Sequence, residues 1–189
     1  FLTATPKRAD KLEKVLYWYF GDIIYKAPPS QNQNVLVKIF KYNITHEKFK
    51  ESYIRFTKEV NKAGTISRLS KISVRNKFIV DQITEILIEE GRKILVLSDR
   101  IEHLNKLKEK LDKKEINSDF YIGGMKQSKL DEAAKATVIL ASYGMASEAL
   151  DIPTLNTLIM ATPRRSIEQS VGRILRTKNH EVQPLIVDL

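Results

Sequence analysis

The sequence predicts an α/β fold: a doubly wound, mainly parallel sheet with helices on both faces, preceded by an N-terminal α+β extension. Three observations predict it. From Arg92 onward, short apolar runs (KILVL at 93–97, TVILA at 137–141, TLIM at 157–160) read as strands covered on both faces, as parallel strands are. Between them lie helical stretches with apolar residues three and four apart. Polar clusters follow the strands: Ser98-Asp99-Arg100, Gly123-Gly124, Ser142-Tyr143-Gly144 and Thr162-Pro163-Arg164-Arg165. The carboxyl ends of strands are where doubly wound sheets bind ligands.

Each element has a local reason. Residues 1–5 (FLTAT) favour a short strand that Pro6 stops, because proline lacks an amide donor and pushes its predecessor to extended geometry. Residues 8–20 read as a helix with Leu12, Val15, Leu16 and Tyr19 on one face, ended at Gly21-Asp22. The consecutive aromatics Tyr17, Trp18, Tyr19 and Phe20 point all round such a helix, so at least half are expected in a core. Residues 23–26 read as a short strand and 27–34 (APPSQNQN) as a loop. Residues 35–42 alternate as a strand buried on one face and partly on the other. Residues 47–60 read as a helix, whereas 61–73 are polar, basic and without clear pattern. Residues 75–90 form a strongly amphipathic helix ending at Gly91, with Phe78, Ile79, Ile83, Ile86 and Leu87 inward. Helices at 101–111, 126–135 and 167–175 and strands at 118–122 and 184–187 complete the alternation. The chain thus divides into residues 1–6, an entry segment and helical insertion at 7–91, and an α/β core at 92–189.

Composition narrows the partners. The 189 residues carry 32 Lys and Arg against 23 Asp and Glu, a formal net charge of +9. That favours a polyanionic partner, with a generally basic surface as the plain alternative. There is no cysteine, which excludes disulfides and thiolate metal sites. The scattered His46, His103 and His180 argue against a metal site. No run reaches the roughly 20 apolar residues of a membrane span, and no signal peptide is visible. These features fit a reducing, intracellular setting without membrane partners. The chain opens at Phe1, not Met, and reads as part of a longer protein.

Residues 166–176 (SIEQSVGRILR) carry the most specific chemistry. Arg173 and Arg176 are three apart and share one helical face. Each guanidinium offers a planar fork of donors and never loses its charge, which suits a polyphosphate. A solvated surface pair is the alternative reading.

Four blocks in this order resemble motifs III to VI of superfamily 2 helicases: LTATP at 2–6, ILVLSDR at 94–100, ILASYGMASEALDIP at 139–153 and QSVGRILR at 169–176. The chain is similar to the C-terminal RecA-like domain of such an enzyme, closest to the branch of the phage UvsW and poxvirus transcript-release helicases. A large DNA virus as source suits the Lys- and Ile-rich, Gly-poor composition, and would place the protein in a cytoplasmic viral factory or virion. The resemblance implies the roles that follow. Residues 1–6 would be the last strand of the preceding RecA-like domain, with Thr3 and Thr5 coupling hydrolysis to strand movement. Asp151 and Glu148 would face the nucleotide, although Ala149 stands where the family has glycine; a turn cap before Pro153 is the other reading of Asp151. Gln169 and Gly172 would line the ATP site, and Arg173 and Arg176 would reach the γ-phosphate, with Arg176 as the arginine finger. Ser142, Tyr143 and Gly144 would hold a nucleic-acid phosphate. Ser98, Arg100, Gly123 and Lys126 would contact further phosphates of the same strand, or simply form a solvated edge.

The implied ligands are ATP with Mg²⁺ and a nucleic acid, DNA favoured and RNA possible. The implied partners are the N-terminal RecA-like domain of the same protein and transcription or replication machinery. The chain contains no Gly-x-x-x-x-Gly-Lys-Ser/Thr loop and no Asp-Glu block. It is therefore expected to supply one wall of a two-walled ATP site and to be inactive alone. The alternatives are a nucleic-acid-binding module without motor activity, and a duplex translocase that remodels complexes without unwinding.

Overall fold

The computed structural model describes residues 12–26, 35–148, 152–164 and 181–189, with side chains as far as Ala146 in the second stretch. The chain divides into two compact units, Phe1–Asn32 and Gln33–Leu189. The first contains helix α1 (Glu13–Phe20), closed by Gly21, whose amide donates to the Tyr17 carbonyl at 2.9 Å. None of the α1 residues is buried, so the expectation that half of its aromatics enter a core is not met. Among the described residues of that unit, α1 is the one helix, and four consecutive aromatics cannot all face inward on a single turn. The strand expected at 23–26 is absent: these residues are irregular.

The second unit is built on a six-stranded, all-parallel sheet. Its elements in chain order are β1 (Leu36–Ile39), a 3₁₀ turn (Glu47–Phe49), α2 (Lys62–Leu69), α3 (Ser73–Ile86), β2 (Ile94–Ser98), α4 (Ile101–Asp112), β3 (Ser118–Tyr121), α5 (Gln127–Ala133), β4 (Val138–Ser142), α6 (Tyr143–Glu148), β5 (Thr157–Met160) and β6 (Leu185–Asp188). The strand order is β1-β6-β5-β2-β4-β3. This is the RecA-like doubly wound architecture that the apolar runs predict. The compact unit includes β1 and α3, both within the segment read from sequence as entry and insertion.

Alternation along the central strands sorts the core into two layers. Ile94, Val96, Val138, Leu140, Ile159 and Val187 face one side and meet Ile79 and Ile83 of α3 and Leu104 and Leu107 of α4. Leu95, Leu97, Ile139, Ala141, Leu158 and Ile186 face the other and meet Leu130 and Ala133 of α5 and Tyr143 and Ala146 of α6. Both faces of the sheet are therefore covered, and its central strands are buried end to end.

Three expectations are corrected. All four residues of β1 are exposed, because among the described residues it is an edge strand that pairs with β6 alone. The helix expected at 47–60 is a 3₁₀ turn followed by a tight reversal, with an isolated antiparallel bridge between Tyr53 and Val60 and Lys58 at φ 54°. The patternless stretch at 61–73 holds a helix instead. Asn61 caps it, its side chain accepting from the Gly64 amide at 2.9 Å, which satisfies one of the donors a helix start leaves unpaired.

Candidate nucleic-acid interface

In a parallel sheet every carboxyl end lies on the same edge. Here that edge has a switch point. Ser98 and Ser142 end the adjacent strands β2 and β4 and are register partners. The chain leaves Ser98 for α4 on one face and leaves Ser142 for α6 on the other. Connections that part to opposite faces from adjacent strands mark the usual ligand position in this architecture.

The β2–α4 loop is held tightly. Arg100 is half-buried, and its guanidinium donates from Nε to Ser67 Oγ at 2.8 Å, from Nη2 to Ala63 O at 2.9 Å and from Nη1 to Asp99 O at 3.1 Å. Ser67 and Ala63 belong to α2, so that helix braces the loop. An open pocket of about 400 Å³ lies between them, lined by Ser67, Ser70 and Lys71 on one side and residues 99–102 on the other. Ser98 does not present its hydroxyl to this surface. It is fully buried, with Oγ 3.0 Å from Nδ1 of His103 and accepting from the Arg100 amide at 3.1 Å. A side-chain contact from Ser98 to phosphate is therefore corrected to an internal bond.

Tyr143 also points inward. It is 2% exposed, and its hydroxyl donates to the Thr162 carbonyl at 2.7 Å. Burial, with the carboxylates of Asp99 and Asp188, pushes the phenol above its ordinary value, so it remains a donor. The expected phosphate contact from this side chain is likewise corrected. Its ring carries Arg164, whose guanidinium carbon lies 5.2 Å from the centroid. Arg164 Nη1 also meets Asp99 Oδ1 at 2.8 Å, and the Asp99 amide donates to Thr162 Oγ1 at 3.0 Å. Arg164 thus ties the ends of β2 and β5 together.

The remaining strand-contact candidates are accessible. Gly144 is exposed with open space where a Cβ would stand, and Ser142 is half-buried, accepting weakly from the Met145 amide at 3.4 Å. Gly123 is exposed beside Met145, whose Sδ lies 4.0 Å from where its Cβ would be, and Lys126 is exposed just before α5. The sheet therefore brings Arg100, Gly123, Lys126, Ser142 and Gly144 to one edge. Glu148 is the last residue of α6. Thr3, Thr5, Asp151, Gln169, Gly172, Arg173 and Arg176 lie outside the described residues.

Three buried residues at this edge escaped the sequence reading. Arg75 is 3% exposed, and its Nη2 donates to Ala161 O at 2.9 Å and Leu189 O at 3.0 Å, beyond the ends of β5 and β6. Asn76 and His103 are buried beside each other, with Asn76 Oδ1 3.0 Å from His103 Nε2. Their signal was present: each is a polar residue at an inward position of an apolar-periodic helix. Among the described residues no three His, Asp or Glu side chains gather as a metal site, and no helix is long and apolar enough to cross a membrane.

Comparison with known proteins gives the family and the fold. Residues 75–178 match the family model described as "Helicase conserved C-terminal domain". The chain is 41% identical over 193 residues to a protein of Acanthamoeba polyphaga mimivirus named "Putative ATP-dependent RNA helicase L396", covering 100% of this chain and 37% of that one. It is 24% identical to "Probable helicase D10" of Escherichia phage T5, covering 100% of this chain and 42% of the phage protein. It is also 24% identical to "Putative ATP-dependent RNA helicase QP509L" of African swine fever virus (strain Badajoz 1971 Vero-adapted), covering 98% and 40%. The chain thus spans about two fifths of the length of these relatives. Among solved structures, the C-terminal part of the Fun30 ATPase domain superposes with a TM-score of 0.52 at 13% identity, covering 61% of this chain and 40% of that one, which supports the fold.

Proposed function

The chain belongs to the helicase conserved C-terminal domain family, and from that premise we propose that it is the C-terminal motor domain of an ATP-dependent superfamily 2 helicase or translocase. In this reading it completes an ATP site begun by a preceding RecA-like domain and holds the phosphates of one nucleic-acid strand. The observation that carries the reading is the switch point at the carboxyl ends of β2 and β4, where Arg100, Gly123, Lys126, Ser142 and Gly144 share one edge. A row of donors without base-reading groups suits a strand tracked by its backbone.

On the nucleotide side, the motif resemblance assigns Gln169, Gly172 and Asp151 to nucleotide contacts and Arg173 and Arg176 to the γ-phosphate. As the bond breaks, charge builds on the phosphoryl oxygens, and a positioned guanidinium stabilises it. Mg²⁺ bound with the nucleotide would offset phosphate charge, and its protein ligands would come from the preceding domain. Thr3 and Thr5 connect that domain's movement to hydrolysis. DNA is the strand favoured by the UvsW-like motifs, whereas the names of the mimivirus and swine fever virus relatives print RNA, so both belong in the test.

The deciding experiment is Arg176→Ala in the full-length protein. Strand-stimulated ATP turnover is expected to fall about 10³- to 10⁵-fold, while affinity for DNA and RNA single strands is kept. Turnover that survives the substitution would show that this domain supplies no finger. Strand affinity lost together with turnover would point to a binding module.

A further inference from the structure

Four buried polar residues behind the β2–α4 loop form one line. Ser70, Asn76, Ser98 and His103 are each 2% exposed or less. Asn76 Nδ2 donates to the Ser70 carbonyl at 3.0 Å, which turns its Oδ1 toward His103 Nε2, 3.0 Å away. That amide orientation requires the proton on Nε2 and leaves Nδ1 as an acceptor. Ser98 Oγ, 3.0 Å from Nδ1, gives it the hydroxyl hydrogen and accepts in turn from the Arg100 amide at 3.1 Å. Every donor in the line meets an acceptor.

The line runs through four elements and closes on itself. Ser70 follows α2, Asn76 is in α3, His103 is in α4 and Ser98 ends β2. From Arg100 the path returns to α2 through Ser67 Oγ and Ala63 O. Arg100 and Lys71, two cations lining one pocket, therefore stand on opposite walls connected by one hydrogen-bonded line, buried at His103 and half-exposed at Arg100. Resting on the reading that Arg100 grips a phosphate, we infer that His103 is a positioning residue: through Ser98 and Asn76 it holds the Arg100 loop and α2 as one gripping unit, so that both cations meet the strand in a fixed arrangement. A preset arrangement lessens the ordering cost at binding. A ring without nitrogens would fill the same space but leave Ser98 and Asn76 without their partner.

The test uses the full-length protein and the salt dependence of its binding to oligothymidylate and oligouridylate strands of equal length. Each phosphate contact contributes about 0.7 to the slope of log affinity against log salt for a single strand. Arg100→Ala is expected to lower the slope by about that amount. His103→Phe and the gentler Ser98→Ala are expected to lower it likewise, and neither is expected to lower it further when combined with Arg100→Ala. His103→Gln, whose amide can donate to Asn76 and accept from Ser98, is expected to restore it. A full slope in both Ser98→Ala and His103→Phe, with Arg100→Ala reduced, overturns the positioning role while leaving the phosphate grip standing. Weaker affinity at an unchanged slope in those variants also overturns it, since loss of stability alone would do that. A full slope in Arg100→Ala removes the grip and this inference with it. If His103→Phe does not fold, Ser98→Ala decides between these outcomes.

Discussion

Arg75 and His103 put polar groups where the helical repeat asks for apolar ones. Arg75 shares the inward face with Ile79, Ile83 and Ile86, and His103 shares one with Leu107 and Leu111. The spacing made these residues legible as buried, but their partners come from Ala161 and Leu189 for the arginine and from Asn76 and Ser98 for the histidine. Contacts so remote in sequence leave no local trace, which is why His103 read from sequence only as one of three scattered histidines. Burial first, then the charges of Arg75 and Lys106, lower the His103 pKa from 6.5 to about 3. In the unfolded chain the ring gains a proton as pH falls through the ordinary value, whereas in the folded chain it stays neutral down to about 3. The unfolded state then binds more protons, so stability is full above about 6.5 and falls as pH drops toward 3. Between pH 7 and pH 5 the loss amounts to about 2 kcal/mol. Denaturant titrations at the two pH values should show a smaller change for His103→Gln than for the wild type; equal changes would remove His103 as the source.

The strands were the most legible elements. Runs such as TVILA and TLIM are too short and too β-branched for helices, and their alternate residues do divide between the two layers. The poorest reading was at 47–73, where neither period is present to guide it. The reversal at 54–59 needs φ 54° at Lys58, a lysine with nothing in its neighbourhood to announce a left-handed residue. Helix α2 hangs on its cap rather than on an apolar face, for none of its residues is buried. The cap in turn needs Gly64, because a Cβ there would stand 2.9 Å from both Asn61 Nδ2 and Ser52 Oγ. Asn61→Ala should therefore cost about 1 kcal/mol, and amide exchange over residues 62–66 should accelerate. Protection unchanged in the variant would mean that packing, not the cap, sets this helix.

At the scale of the molecule the α/β class followed from the alternation of elements, but the strand order did not. A run of apolar residues states that a strand is covered and is silent on which strand lies beside it. The placement of β2 between β4 and β5, which sets the switch point, comes from crossovers that no single segment encodes. The chain has no Gly-x-x-x-x-Gly-Lys-Ser/Thr loop. The purified 189-residue chain should accordingly show no ATP turnover with or without single strands. A robust strand-stimulated rate from it would sink the two-walled site.

The outer pair of strands also sets a schedule for the ribosome. Leu36 of β1 finds its partner in Leu185 of β6, roughly 150 residues later. At about 5 to 20 residues per second, synthesis leaves β1 without its neighbour for about 7 to 30 s. During that interval the apolar Leu36, Val37 and Ile39 sit on a strand with both edges open, so the nascent chain is most exposed to mispairing with another copy before its last strand emerges.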